Sequence, residues 1–96
     1  MPARIELPSS DAAYLHNPKP AYPILSRKMG EQGKVQIRVL IGVDGAALKA
    51  EVGQSSGFDR LDQAALATAL KWRYRPGTRG GIPETMWFIV PIEFAL

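Results

Sequence analysis

The sequence contains no cysteine and a single histidine, His16. A disulfide framework and a thiolate metal site are therefore excluded, and a transition-metal site would have to rest on carboxylates, which are nowhere clustered at ligand spacing. Long apolar runs are missing too. Nothing approaches the roughly 18 consecutive apolar residues of a membrane span, and the opening Met1-Pro2-Ala3-Arg4 has no signal-peptide core. Charge of one sign is in short supply: the formal net charge is +3, a mild basic bias that favours acidic partners but falls short of a nucleic-acid footprint. With 96 residues, 46% of them hydrophobic, the chain has room for one modest core and too much apolar content for wholesale disorder.

Proline and glycine are plentiful and punctuate the chain. Residues 1–19, with Pro2, Pro8, Ser9, Ser10 and Pro18, read as a partly disordered linker remnant, the end of something longer, with the folded domain over 20–96. Pro18-Lys19-Pro20-Ala21-Tyr22-Pro23 should lie extended, because each proline disfavours helix in the residue before it. Pro23 suits the first turn of a short helix to about Met29, stopped by Gly30 in the left-handed conformation. From Lys34 the period becomes two. Val35, Ile37, Val39 and Ile41 share one face, and Lys34, Gln36, Arg38 and Leu40 the other. Asp44-Gly45 supplies a hairpin turn into a second strand, along which Leu48, Ala50 and Val52 alternate.

Beyond Ser55-Ser56-Gly57, Asp59 is placed to cap a helix running to about Arg73, with Asp62 in its first turn. The buried stripe of that helix is Leu61, Ala65, Ala69 and Trp72; Thr68 shares it with its hydroxyl satisfied one turn back, and Leu70 lies opposite, exposed. Pro76-Gly77 ends the element, and Arg79-Gly80-Gly81-Ile82-Pro83 reads as a loop. The last strand, Glu84 to Leu96, places Phe88, Val90, Ile92 and Phe94 on one face. The order describes an α+β fold: two helices packed on one face of a three-stranded antiparallel sheet, with or without a short extra strand near Tyr14-Leu15.

Pro91 lies inside the last strand, and a proline has no N–H for a ladder, so that strand belongs at a sheet edge. If Pro91 faces outward, parity turns the backbone groups of Thr85, Trp87, Ile89 and Glu93 outward with it. The same parity carries the Trp87 and Ile89 side chains away from the helices, setting two large apolar groups beside an unpaired edge, the arrangement used when a peptide adds to a sheet. On the residues alone, packing of Trp87 and Ile89 beneath the N-terminal leader has equal weight.

Other patterns carry less. Gly53-Gln54-Ser55-Ser56-Gly57 matches the G-x-S-x-G nucleophile elbow, but the elbow needs a later histidine and a large parallel sheet, so no enzymatic role is expected. His16 reads as a surface residue, and capping explains Asp59 and Asp62 better than an acid/base pair. Lys71-Trp72-Arg73-Tyr74-Arg75 interleaves basic and aromatic residues as RNA-binding sheet domains do. The open face of the hairpin, however, offers Lys34, Gln36, Arg38, Lys49 and Glu51 with no aromatic for base stacking, so no nucleic-acid partner is expected.

Taken in order, Tyr22-Pro23, the Gly33 to Ile41 strand, Asp44-Gly45, Ser55-Ser56-Gly57, Leu61-Asp62, Ala64-Ala65-Leu66, Trp72-Arg73-Tyr74, Pro76, Gly81 and Val90-Pro91-Ile92 with Phe94 resemble the C-terminal domain of the TonB energy-transducer family. The resemblance covers about Asp11 to Leu96. It implies a non-catalytic, cofactor-free periplasmic domain, anchored in the inner membrane through an N-terminal helix and a proline-rich spacer that this chain does not carry. It also implies that the last strand pairs with the Ton box of outer-membrane receptors for siderophores, haem or vitamin B12, coupling their transport to the proton motive force through inner-membrane partners of the ExbB/ExbD type. Peptide-binding positions are then Thr85, Trp87, Ile89, Pro91 and Glu93, and receptor contacts Lys19, Pro20 and Tyr22, with Lys19 standing where some members carry glutamine. Homodimers through the sheet edges are a further expectation. A related envelope-integrity domain of the TolA group is the other reading within this architecture.

Overall fold

The computed structural model describes residues 3–12 and 15–96. In chain order they form strand β1 (Ile5–Glu6), helix α1 (Ile24–Lys28), strands β2 (Gly33–Ile41) and β3 (Ala47–Gln54), helix α2 (Asp59–Lys71), the short strands β4 (Gly77–Arg79) and β5 (Ile82–Glu84), and β6 (Met86–Phe94). The main sheet is antiparallel in the order β3-β2-β6. Its centre is the strand with the cleanest alternation: Val35, Ile37, Val39 and Ile41 are fully buried. Val90, Ile92 and Phe94 of β6, Leu61, Ala65 and Ala69 of α2, and Tyr74 complete the core. Each Val, Ile, Leu or Phe side chain among them contributes about 1.5–3 kcal/mol by its removal from water.

The α+β architecture follows the sequence reading, with several local differences. In the hairpin, two register irregularities each leave one residue of β3 unopposed, Gly53 between Gln36 and Ile37 and Leu48 between Leu40 and Ile41, and Leu48 is exposed where the expected alternation breaks. The turn needs Gly45 for two reasons. Its φ is +84°, and a Cβ there would strike the carbonyl oxygen of Tyr74, whose N–H donates to the Gly45 carbonyl at 2.9 Å. Tyr74 takes the core position expected of Trp72; its hydroxyl donates to the Ala69 carbonyl at 2.7 Å, and burial pushes its pKa upward. Trp72 is half-buried and donates its indole N–H to the Pro18 carbonyl at 2.7 Å. Thr68 bonds one turn back to Ala64, and Leu70 is exposed, both as the helical spacing requires.

The stretch expected as a loop is a hairpin. Arg79 pairs with Ile82, and Gly80 and Gly81 both have positive φ, the backbone that a two-residue hairpin turn requires. The final strand accordingly starts at Met86, and Glu84 closes β5. The N-terminal strand lies at Ile5–Glu6, paired with β4. Of the expected Tyr14-Leu15 strand, Tyr14 lies outside the described residues, and Leu15 sits in a single turn closed by its N–H on the Ala12 carbonyl. A bridge between Ser9 and Arg75 continues the β1 pairing, so residues 5–9 run along the domain, whereas the prolines and serines there had suggested only linker.

The helix start also differs. The N-cap of α2 is Phe58, which has no side-chain acceptor, and Asp59 caps nothing. Asp62 does the bonding instead: its carboxylate accepts from the hydroxyl of Ser55, from the Ser56 hydroxyl at 2.7 Å and from the Ser56 N–H at 2.9 Å. Burial opposes the charge, but these three donors outweigh it and hold the carboxyl below the usual range. The Ser55-Ser56-Gly57 motif is thereby explained as a strand-to-helix joint. Asp62→Ala should lower the unfolding free energy by about 1–3 kcal/mol, measured by urea denaturation. Because the folded-state pKa is depressed, that contribution is full above the ordinary aspartate range and disappears as pH falls through the lower folded value. Asp62→Asn should therefore lose its stability deficit against the parent as pH falls below the ordinary aspartate range and through the depressed folded value.

Candidate functional site

β6 pairs with β2 in unbroken register from Gly33↔Phe94 to Ile41↔Met86, and among the described residues no strand pairs with its other side. Pro91 sits opposite Gln36. Lacking an N–H, it cannot form a closed hydrogen-bonded pair, so Gln36↔Pro91 is of the non-bonded class, and steps of two residues place Lys34↔Glu93, Arg38↔Ile89 and Leu40↔Trp87 in the same class. The N–H and C=O groups of Trp87, Ile89 and Glu93, and the Pro91 carbonyl, therefore point away from the sheet. Phe88, Val90 and Ile92 supply the ladder to β2.

The side chains obey the same parity. Val90, Ile92 and Phe94 go into the core, whereas Trp87 and Ile89 are 43% and 53% exposed. Thr85 does not belong to this row: it falls at the junction between β5 and β6, outside either strand. The guanidinium of Arg38 lies 4.8 Å from the centre of the Trp87 ring and also pairs with Glu51. That stacking fixes the indole against the open face of the sheet. Lys34 and Glu93, 3.8 Å apart and both well exposed, form a surface pair of small energetic weight.

At the far end of β6, Lys19, Pro20 and Tyr22 line a groove of about 470 Å³ together with Arg27, Glu93 and Phe94. Tyr22 acts as its strut. The ring packs edge-on to Phe94 with centroids 5.4 Å apart, the hydroxyl donates to the Glu31 carbonyl, and Arg27 lies 5.6 Å from the ring centre. Glu31 in turn holds Arg60 of α2 through two bonds of 3.1 and 3.2 Å. The expected receptor contacts are thus brought to the end of the expected peptide edge, with Glu93 common to both.

The elbow-like serine is otherwise engaged: Ser55 gives its hydroxyl proton to Asp62 and accepts from the Gly57 N–H at 3.0 Å. Among the described residues no group of three or more His, Asp or Glu could hold a metal ion, and no helix is long and apolar enough to cross a membrane. Sequence reasoning missed Leu7 and Arg38, which join Trp87, Phe88 and Ile89 around a groove of about 390 Å³. Leu7 was hidden because Ile5-Glu6-Leu7 gives only three residues of alternation before Pro8, too short a run to carry a periodic signal.

Comparison with known proteins places these features in a family setting. Residues 18–96 match the family described as Gram-negative bacterial TonB protein C-terminal. The chain is 43% identical over 89 residues to protein tonB2 of Pseudomonas aeruginosa, covering 93% of this chain and 33% of the relative. It is 40% identical over 81 residues to protein TonB of Neisseria gonorrhoeae, covering 82% of this chain and 26% of that one. The chain thus spans a third or less of these relatives' lengths. The NMR solution structure of the Helicobacter pylori TonB C-terminal domain superposes with a TM-score of 0.56 at 28% identity over 80% of each chain.

The parity of β6 has a direct mechanical consequence. Val90→Pro removes a ladder donor together with a buried side chain and should cost about 3 kcal/mol or more, whereas Ile89→Pro removes only an outward N–H and should cost less than about 1 kcal/mol. Thermal unfolding of the two variants checks this, and equal losses would mean that the Ile89 N–H is engaged with β2.

Proposed function

The chain belongs to the family of Gram-negative bacterial TonB C-terminal domains, and from that premise we propose that it is the receptor-gripping end of a TonB-type energy transducer, taking up a receptor's Ton box as an added strand on β6. The observation that carries this reading is the row of backbone groups at Trp87, Ile89, Pro91 and Glu93, which has no partner strand among the described residues. An extended peptide alongside would exchange main-chain hydrogen bonds with that row, largely independent of its own sequence, while Trp87 and Ile89 offer apolar contact. Such pairing suits a transducer serving several receptors, and a pull directed along the strands loads the bonds together. Lys19, Pro20 and Tyr22 would meet the receptor body beyond the Ton box, Lys19 through acidic groups.

In this reading the domain works in the periplasm, tethered to the inner membrane through the rest of the protein. There it relays energy from proton-channel partners of the ExbB/ExbD type to the uptake of siderophores, haem or vitamin B12. No bond is made or broken by the domain itself. At high concentration the same edge can pair with a second copy. Titrating the 96-residue chain with a synthetic Ton-box peptide should move the amide NMR signals of β6 first. Ile89→Pro should weaken the affinity at least about tenfold, since it deletes one donor and puts a ring methylene in the partner's place. Unchanged affinity in that variant contradicts the assignment of the edge.

A further inference from the structure

The vacant side of β6 does not open straight onto solvent. Leu7 stands across the 390 Å³ groove from Trp87, Phe88 and Ile89. Ser9, Ser10 and Asp11 stand across an adjoining groove of about 430 Å³ from Phe88 and Pro91, with Asn17 and Trp72 completing the lining. The leader therefore runs beside the unpaired strand yet, among the described residues, makes no backbone hydrogen bond to it; its bonds go to Arg75, to Gly80 and to β4. A gap is left between two stretches of extended chain.

The leader is held in that place from its other side. Its pairs Ile5↔Arg79, Glu6↔Thr78 and Ser9↔Arg75 fall in one continuous antiparallel register, and Ser9 and Arg75 exchange both backbone bonds, at 3.1 and 2.8 Å. Beyond Ser9 the restraint passes to one side chain. Asn17 accepts from the Arg73 N–H at 2.7 Å, donates to the Arg73 carbonyl at 2.7 Å and donates to the Ser10 carbonyl at 3.0 Å. A primary amide offers both an acceptor and two donors, so Asn17 replaces a missing strand neighbour for Arg73 and ties the leader to the end of α2 in the same act. Neither aspartate nor leucine could make all three bonds.

We propose that Leu7–Asp11 forms the outer wall of the peptide groove and that Asn17 is the residue positioning it, so that a bound peptide is paired with β6 along one edge and enclosed by the leader along the other. This rests on the reading of β6 as a peptide-binding edge. Enclosure adds apolar contact where Leu7, which is 70% exposed in the free protein, faces Trp87 and Ile89. It therefore selects for a large apolar side chain at the peptide position on the Trp87 face. The wall acts chiefly on escape, because a peptide in the slot must pass it to leave.

The test measures dissociation of a synthetic Ton-box peptide from the 96-residue chain by stopped flow, with Ile89→Pro as the reference for the edge itself. Leu7→Ala alters an exposed side chain and leaves the leader's backbone bonds in place. It should raise the dissociation rate several-fold at unchanged melting temperature, and Leu7→Met should restore the parent rate. Asn17→Ala should raise the rate about tenfold, the effect of losing side-chain hydrogen bonds that fix the wall. If Ile89→Pro abolishes binding while Leu7→Ala and Asn17→Ala leave both rate and affinity unchanged, the wall is overturned and the edge stands. Tighter binding in either leader variant also overturns it, since the leader would then be a competitor for the groove. If Ile89→Pro binds as the parent does, the edge reading itself fails.

Discussion

A proline has no N–H to donate, and at position 91 that one missing donor fixes how the whole of β6 is used. Strict register with β2 across nine residue pairs leaves no slack between Gly33 and Ile41 in which the parity could change. Once Pro91 faces out, Trp87, Ile89 and Glu93 must follow, and Phe88, Val90 and Ile92 must serve the ladder. The division of side chains follows from the same fact. The residues that hold the strand in place are those buried under α2, and the residues that present its free side are the exposed ones.

The rest of the fold keeps that strand rigid and that edge singular. β2 is buried along one face and paired on both sides, so β6 is mounted on the least deformable element of the sheet. The joint at Asp62 and the docking of the Gly45 turn against Tyr74 tie α2 and the hairpin together at their two ends. The sheet has a second edge, β3, but its two register irregularities disturb the row of groups it could offer. On the main sheet an incoming extended chain thus meets one regular edge and one broken one. Tyr22, Glu31 and Arg60 anchor the proline-rich segment at the far end, so the surface beyond the peptide edge is held in fixed relation to it.

Most of this was legible in the residues because it depends on period and on proline. The β2 alternation, the stripe Leu61, Ala65 and Ala69, and the edge deduced from Pro91 are each local patterns with a single physical reading. What escaped depended on contacts between distant segments or on reading glycine too simply. Gly80-Gly81 reads as loop among its neighbours although paired glycines are also a two-residue hairpin signal, and the hairpin they make sets the start of β6 at Met86 and excludes Thr85. Asp59 is the better cap by position because it stands first, but it is Asp62, one turn further along α2, whose carboxylate reaches Ser55 and Ser56. Tyr74 takes the core position that helical spacing gives Trp72, because the chain leaves helical geometry at Trp72, where that spacing ceases to predict facing. The leader's pairing with residues 75–79 could not be read at all, since neither segment has enough alternation to announce a partner.

The claim on which all of this turns is that alternate amides of β6 are free. Native-state hydrogen exchange followed by NMR measures it residue by residue. The expected result is a two-residue alternation, with Phe88, Val90 and Ile92 protected and Trp87, Ile89 and Glu93 exchanging fast until a Ton-box peptide is added, when they too become protected. Uniform protection along the strand in the free protein would mean the row is already occupied, and no peptide could be taken up there.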